Sequence, residues 1–125
     1  MKKIIQTENA PAAIGPYSQA IDKNGILYIS GQIPVNPATG QIVEGGITEQ
    51  TTQVMENIRA ILKEAGYEFS DVVKSTCLLT EMEDFKAMND VYGSYYRLNP
   101  PARAAFAVKA LPMGALVEIE TIAIK

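Results

Sequence analysis

Arg103 stands at the head of an otherwise apolar run, Arg103-Ala104-Ala105-Phe106-Ala107-Val108, directly after Pro100-Pro101-Ala102. Residues two apart share a face of an extended strand, so its companions there are the small Ala105 and Ala107. Open space before a planar guanidinium suits a carboxylate or phosphate ligand held by two parallel hydrogen bonds. An arginine at a strand end also pairs with surface acids, and residue type alone leaves both uses open. Fifteen positions on, Glu118 and Glu120 interrupt the strand-like run that holds Leu116, Ile122 and Ile124. Carboxylates are seldom fully buried alone. These two either face water at an edge or meet a ligand with a tuned acidity.

Three further positions could join such a site. Asn89 falls with Phe85, Met88, Tyr92 and Tyr96 on one helical stripe, and a buried amide needs partners or a pocket. Ser30-Gly31 ends a hydrophobic strand where a hydroxyl and a close backbone approach are both on offer. Gly15-Pro16-Tyr17-Ser18 delivers a phenol to the start of another strand. Structural uses exist for each of them.

Composition excludes much else. The 125 residues contain no histidine and one cysteine, Cys77. There is thus no Ser-His-Asp triad, Cys-His pair, imidazole zinc site, internal disulfide or CxxC motif. Acid–base work falls to carboxylates, Tyr, Lys or the backbone. No metal-ligand pair stands at a useful interval, and Gly31 and Gly45-Gly46 do not form a phosphate loop. No metal or cofactor is expected. Eleven Lys+Arg against fourteen Asp+Glu give a net charge of −3, with the basic residues dispersed, which disfavours nucleic-acid binding. The longest apolar run, Ala104 to Val108, is far short of a membrane span of ~20 residues. A cytoplasmic location is expected, with Cys77 reduced in the core beside Val73 and Leu79.

The elements that must position these residues follow from periodicity. Strands are expected over Lys3 to Thr7, Tyr17 to Asp22 and Ile26 to Ser30, with Asn24-Gly25 as a two-residue hairpin turn. A turn at Asn36 to Gly40 joins Ile33–Val35 to Gln41–Val43. A helix spans Ile47 to Ala65, stopped by Gly66. A strand over Val72 to Leu79 puts Val73, Ser75, Cys77 and Leu79 on one face. Thr80-Glu81-Met82-Glu83 reads as a capping box opening a second helix that runs to about Arg97 before Asn99-Pro100-Pro101. Strands over Arg103 to Lys109 and Leu116 to Ile124 close the chain.

This order makes one α+β domain over residues 1–125, a mixed, mostly antiparallel sheet with two helices packed on one face. Ile26-Leu27-Tyr28-Ile29 and Ile122-Ala123-Ile124 are apolar in both parities, unlike strands with one wet face. A second copy of the chain is the simplest cover for the other face, so a homo-oligomer is expected.

Taken together, Asn9-Ala10-Pro11-Ala12-Ala13-Ile14-Gly15-Pro16-Tyr17-Ser18-Gln19-Ala20, Ile29-Ser30-Gly31-Gln32-Ile33-Pro34, Pro101-Ala102-Arg103-Ala104-Ala105 and Leu111-Pro112-Met113-Gly114-Ala115-Leu116-Val117-Glu118-Ile119-Glu120 carry a resemblance. Over nearly its whole length the chain resembles the Rid/YjgF family of reactive-intermediate (enamine/imine) deaminases. The resemblance implies a chorismate-mutase-like fold and a homotrimer with three clefts between subunits. It implies that Arg103 grips the substrate carboxylate and that Glu118 handles the water and the nitrogen. Tyr17, Ser30, Gly31, Asn89 and the backbone N–H of Ala105 would line the cleft. Many members carry cysteine where this chain has Ala105, so no thiol chemistry is expected at that point.

The implied reaction is hydrolysis of a short 2-imino acid, or its enamine tautomer, to a 2-oxo acid and ammonia. The alternative is a non-catalytic protein that binds small carboxylates such as 2-oxo acids in the same cleft and reports to a protein partner. Whether Glu120 shares the work of Glu118 is left open at this level.

Overall fold

A computed structural model describes residues 1–125. Its elements are β1 (Lys3–Ile5), β2 (Ala20–Lys23), β3 (Ile26–Gln32), β4 (Val35–Asn36), β5 (Gln41–Ile42), α1 (Ile47–Ala65), β6 (Val72–Leu79), α2 (Phe85–Tyr95), β7 (Ala102–Ala107) and β8 (Val117–Ile124). Six strands form one sheet in the order β1-β2-β3-β8-β6-β7, and β4-β5 is a separate small hairpin. Every pairing in the large sheet is antiparallel except β6 with β7. That parallel pair requires a crossover, which α2 supplies. The α+β architecture read from the sequence is the one observed.

Local chemistry accounts for the element ends. Asn24 and Gly25 both take positive φ, 54° and 78°, which a two-residue turn between twisted strands demands. The N–H of Gly46 donates to Glu49 Oε1 at 2.8 Å at the start of α1. Gly66 at φ 82° closes that helix, its N–H turned back to the Leu62 and Lys63 carbonyls. Three expectations need correction. Thr80 caps no helix: its N–H is still bound to the Leu116 carbonyl at 3.2 Å, a 3-10 turn over Met82–Asp84 follows, and α2 starts at Phe85 and stops at Tyr95. A register shift between Val72 and Lys74 turns Val73 outward, so Val72 joins Ser75, Cys77 and Leu79 on the inner face. The strand expected from Tyr17 begins only at Ala20, which leaves Tyr17 on a loop.

Both helices lie on one face of the sheet. Val54, Met55, Ile58, Ile61 and Leu62 of α1 and Met88 and Tyr92 of α2 meet Leu27, Ile29, Cys77, Leu79, Val117, Ile119 and Ala123 from the strands. Each such aliphatic side chain contributes roughly 1.5–3 kcal/mol when fully withdrawn from water. The other face has no cover within the chain. Tyr28, Val73, Phe106 and Ile124 are exposed there, with Leu78 and Ile122 half-buried among them. No helix is long and apolar enough to cross a membrane.

Candidate functional site

Glu118 lies on the uncovered face, because the inward positions of β8 are Val117, Ile119, Thr121 and Ala123. The β3–β8 register slips between Ile29 and Gln32, and this bulge sets Ser30-Gly31 opposite the acidic stretch. The carboxylate occupies the space a side chain would take: a Cβ on Gly31 would stand 2.0 Å from Glu118 Oε2 and 2.9 Å from its Cδ, so any larger residue would displace it. The carboxylate therefore rests directly against the backbone of β3. Burial, and then the neighbouring Glu120 carboxylate, raise the pKa of Glu118 above its ordinary value. Of the two acids on this face, Glu118 is half-buried and Glu120 exposed.

Ser30 and Tyr17 belong to the same half. Ser30 Oγ–H donates to the Ser18 carbonyl at 2.6 Å, and Ser30 N–H donates to the Gln19 carbonyl at 3.0 Å. The loop before β2 is tied down by Gln19. Its buried amide accepts from Thr7 N–H at 2.7 Å and reaches the carbonyls of Thr7, Ala10 and Pro11 at 3.0, 3.2 and 2.8 Å. Tyr17, two residues away, is exposed on this anchored loop. Gln19 is a positioning residue that reading the sequence did not single out; its only signal was a polar residue at the head of an inward-facing strand.

Arg103 lies on the helix side. It pairs in register with Ser75, and Ala105 pairs with Cys77, both inward-facing residues of β6. Its Nη1 donates to Asn89 Oδ1 at 2.6 Å, and its guanidinium carbon lies 5.0 Å over the Tyr92 ring and 5.5 Å over the Phe85 ring. Phe85, Asn89 and Tyr92 occupy one face of α2, so three successive turns of helix orient one cation. No acid is paired with it: the ion pairs of this chain are Arg59–Glu56 and Lys86–Asp90. Four of its five N–H groups make no hydrogen bond within the chain.

Ala105 completes this half through its backbone. Val108 N–H donates to the Leu79 carbonyl at 2.7 Å, and alternate N–H groups of a strand point the same way. The N–H of Ala105 therefore points away from β6, out of the open edge of the sheet. An open cavity of about 460 Å³ adjoins it, lined by Asn89, Tyr92, Gly93, Tyr96, Pro100, Pro101 and Arg103. Beneath Arg103 the Cys77 thiol is buried, and burial pushes its pKa up to about 11 against the pull of Arg103. It is a core thiol, packed as the sequence predicted except that its neighbour is Val72 rather than Val73.

The expected residues thus form two groups. Ser30, Gly31 and Glu118 share the uncovered face, with Tyr17 exposed on the loop whose Ser18 accepts from Ser30, whereas Asn89, Arg103 and Ala105 share the helix side of the β7 edge. Within one chain Arg103 and Glu118 stand on opposite faces of the sheet, and the cavity beside Arg103 does not reach Glu118. Phe85 and Tyr92 belong with Arg103 as well; their helical spacing marked them as packing residues, and only the register of β7 shows what they pack against. No group of three or more His, Cys, Asp or Glu side chains is placed to hold a metal ion.

The fold and its two half-sites define a small α+β protein that offers a cation suited to a carboxylate at one sheet edge and an acid set against a glycine bulge on the other face. The sequence model of the family described as Endoribonuclease L-PSP matches residues 7–125, and the chain belongs to that family, known also as Rid/YjgF. It is 55% identical over 125 residues to a RutC family protein of Pyrococcus horikoshii, covering all of this chain and 99% of that one. It is 53% identical to the 2-iminobutanoate/2-iminopropanoate deaminase of Capra hircus, covering all of this chain and 91% of that protein. The crystal structure of a Rid family protein from Yersinia pestis superposes with a TM-score of 0.96 at 52% identity, covering the whole of both chains.

Proposed function

We propose that this protein hydrolyses short 2-imino acids, and their enamine tautomers, to 2-oxo acids and ammonia, in clefts formed between the subunits of a homotrimer. The observation that carries this reading is the split of the site. A cation oriented for a carboxylate and a carboxylate set against backbone lie on opposite faces of one sheet, each lacking its counterpart. Where the open β7 edge of one copy meets the apolar uncovered face of the next, the two halves come together and the exposed Tyr28, Phe106 and Ile124 are covered. Deaminase relatives at about half identity supply the substrate class.

In this cleft Arg103 and the Ala105 N–H hold the substrate carboxylate and fix the C2 carbon. Glu118 takes a proton from a water as its oxygen bonds to C2 of the protonated imine, and the C=N π pair moves onto nitrogen. Protonated Glu118 then returns the proton to that nitrogen. The carbinol oxygen forms C=O as the C–N bond breaks, ammonia departs and the hydroxyl proton goes to solvent. Tyr17 closes one wall. Residues 1–125 act as one domain in this account, in the cytosol, where the lone Cys77 needs no oxidising compartment. The family description names RNA cleavage, but a chain without histidine, with dispersed basic residues and a net charge of −3, offers little to support it.

The test follows 2-oxo acid formation from freshly generated 2-iminobutyrate. Arg103→Ala lowers kcat/KM on the order of 10²-fold, the worth of two charge-assisted hydrogen bonds of about 1.5 kcal/mol each. Unchanged catalysis refutes the role of Arg103. Tight 2-oxo acid binding by the wild type with no rate enhancement replaces the deaminase with a carboxylate sensor.

A further inference from the structure

Among its aliphatic side chains helix α1 buries two amides, Gln50 and Asn57. They stand seven positions apart, about two turns, on one face of the helix. An amide withdrawn from water costs stability unless its hydrogen bonds are met. Both are met by backbone distant in sequence. Gln50 Oε1 accepts from Leu116 N–H at 2.8 Å. The Leu116 carbonyl accepts from Thr80 N–H at 3.2 Å, so both backbone groups of Leu116 are held two positions before Glu118. Asn57 Nδ2 donates to the carbonyls of Ile33 and Val35 at 3.3 and 3.0 Å, while Gln53 Nε2 donates to its Oδ1 at 2.8 Å. The segment so held is the one that leaves the bulge at Gly31. A third buried amide, Gln32, spans that bulge, its Nε2 donating to the Ser30 carbonyl at 3.1 Å.

We infer that Gln50 and Asn57 are positioning residues for Glu118: from α1 they fix the two lengths of backbone between which its carboxylate is seated, without touching substrate. This rests on the deaminase reading and adds to it the parts that set the acid in place. Both amides act from the helix side of the sheet, whereas Glu118 lies on the other face. The seat leaves no slack, because Glu118 Oε2 already fills the space of a Gly31 side chain. Aliphatic contacts let backbone slide, but an N–H···O bond holds donor and acceptor near 2.9 Å and close to linear. Val54, Ile58 and Leu62 supply attraction between α1 and the sheet; the amides supply register. No hydrogen bond of either amide goes to α2 or β7, where Arg103 is oriented. Loss of an amide therefore moves the acid and spares the grip on the carboxylate.

The test compares Gln50→Met with Gln50→Glu. Methionine keeps the length and accepts only weakly. Glutamate offers Leu116 N–H a carboxyl oxygen whether charged or neutral, in a first helical turn that favours an acid. Rates of 2-oxo acid formation from freshly generated 2-iminobutyrate give kcat, and calorimetric titration with 2-oxobutyrate gives affinity and the number of intact sites. Gln50→Met lowers kcat about tenfold, within the cost on the order of 10²-fold of a misplacement of about 1 Å, with wild-type affinity and a full count of sites. Gln50→Glu recovers most of that kcat. Asn57→Asp, which keeps the shape and loses both donors, is the independent variant and shows the same split per intact site. Wild-type kcat in folded Gln50→Met and Asn57→Asp proteins overturns the inference and leaves the deaminase reading standing. A loss of kcat matched by a loss of binding sites, or one that Gln50→Glu does not recover, also overturns it, since that is damage to the fold alone. A wild type that does not accelerate 2-oxo acid formation overturns the deaminase reading and the inference with it.

Discussion

Gly31→Ala is the sharpest perturbation of the site that leaves the backbone alone. Gly31 does not adopt positive φ, so alanine fits its conformation without strain. The added carbon would meet Glu118 Oε2 at 2.0 Å, Cδ at 2.9 Å and Cγ at 3.2 Å. Non-bonded heavy atoms settle at about 3.5 Å or more, so the carboxylate must retreat by roughly 1.5 Å. A displacement of about 1 Å in a group that positions a reacting water costs on the order of 10²-fold in rate, equivalent to about 2.7 kcal/mol in the barrier. Since Arg103 is untouched, the loss should fall on kcat, with 2-oxo acid binding retained. The assay is initial-rate 2-oxo acid formation, alongside size-exclusion chromatography and a thermal melt to show that assembly and fold persist. A folded Gly31→Ala protein turning over at the wild-type rate would refute the placement of Glu118 as the group that acts on water.

Two further outcomes follow from the same geometry. Burial and Glu120 raise the pKa of Glu118, so the acid limb of the kcat/KM–pH profile should lie above the ordinary carboxylate pKa of 4.5. A raised carboxyl pKa makes its charge a cost to the folded state, absent below the unfolded value and fully present above the folded one; Glu118→Gln should therefore abolish turnover yet raise Tm at pH 7, with the gain vanishing by pH 3 in parallel melts. Phe85→Leu removes one ring from under Arg103 and should raise KM about two- to fivefold with kcat nearly unchanged, matching about 0.5–1 kcal/mol for a partly exposed cation–π contact. Tyr92→Phe keeps its ring and should leave KM where it is, as steady-state kinetics on the pair will show.

Much of this fold is legible in the chain because its signals are local. The hydrophobic period of α1, the Gly66 stop and the Asn24-Gly25 turn each depend on neighbours a few residues away, and each is where it was expected. The misplaced features depend on partners distant in sequence. Val73 points outward because a bulge against β8 absorbs one residue, which strict alternation cannot reveal. Thr80 fails as a cap because Leu116, thirty-six positions on, claims its backbone. For the site, residue types nominated Arg103, Asn89, Glu118 and Ser30, while the division of these residues between two faces of the sheet depends on the β6–β7 and β3–β8 registers. Gln19, with four hydrogen bonds to backbone groups, gave only the faint signal of a polar residue before an inward-facing strand, because its partners are backbone groups that no residue type marks.

The most direct test mixes two inactive proteins. Arg103→Ala chains keep Glu118, and Glu118→Gln chains keep Arg103. Around a three-subunit ring containing both, one cleft in three unites a native arginine with a native glutamate. Random reassembly of equal amounts after reversible unfolding should restore about a quarter of wild-type turnover, since about three-quarters of the rings are mixed. Recovery near that level is the result expected of a cleft shared between neighbours. No recovery, with mixed rings demonstrated by mass spectrometry, would contradict it.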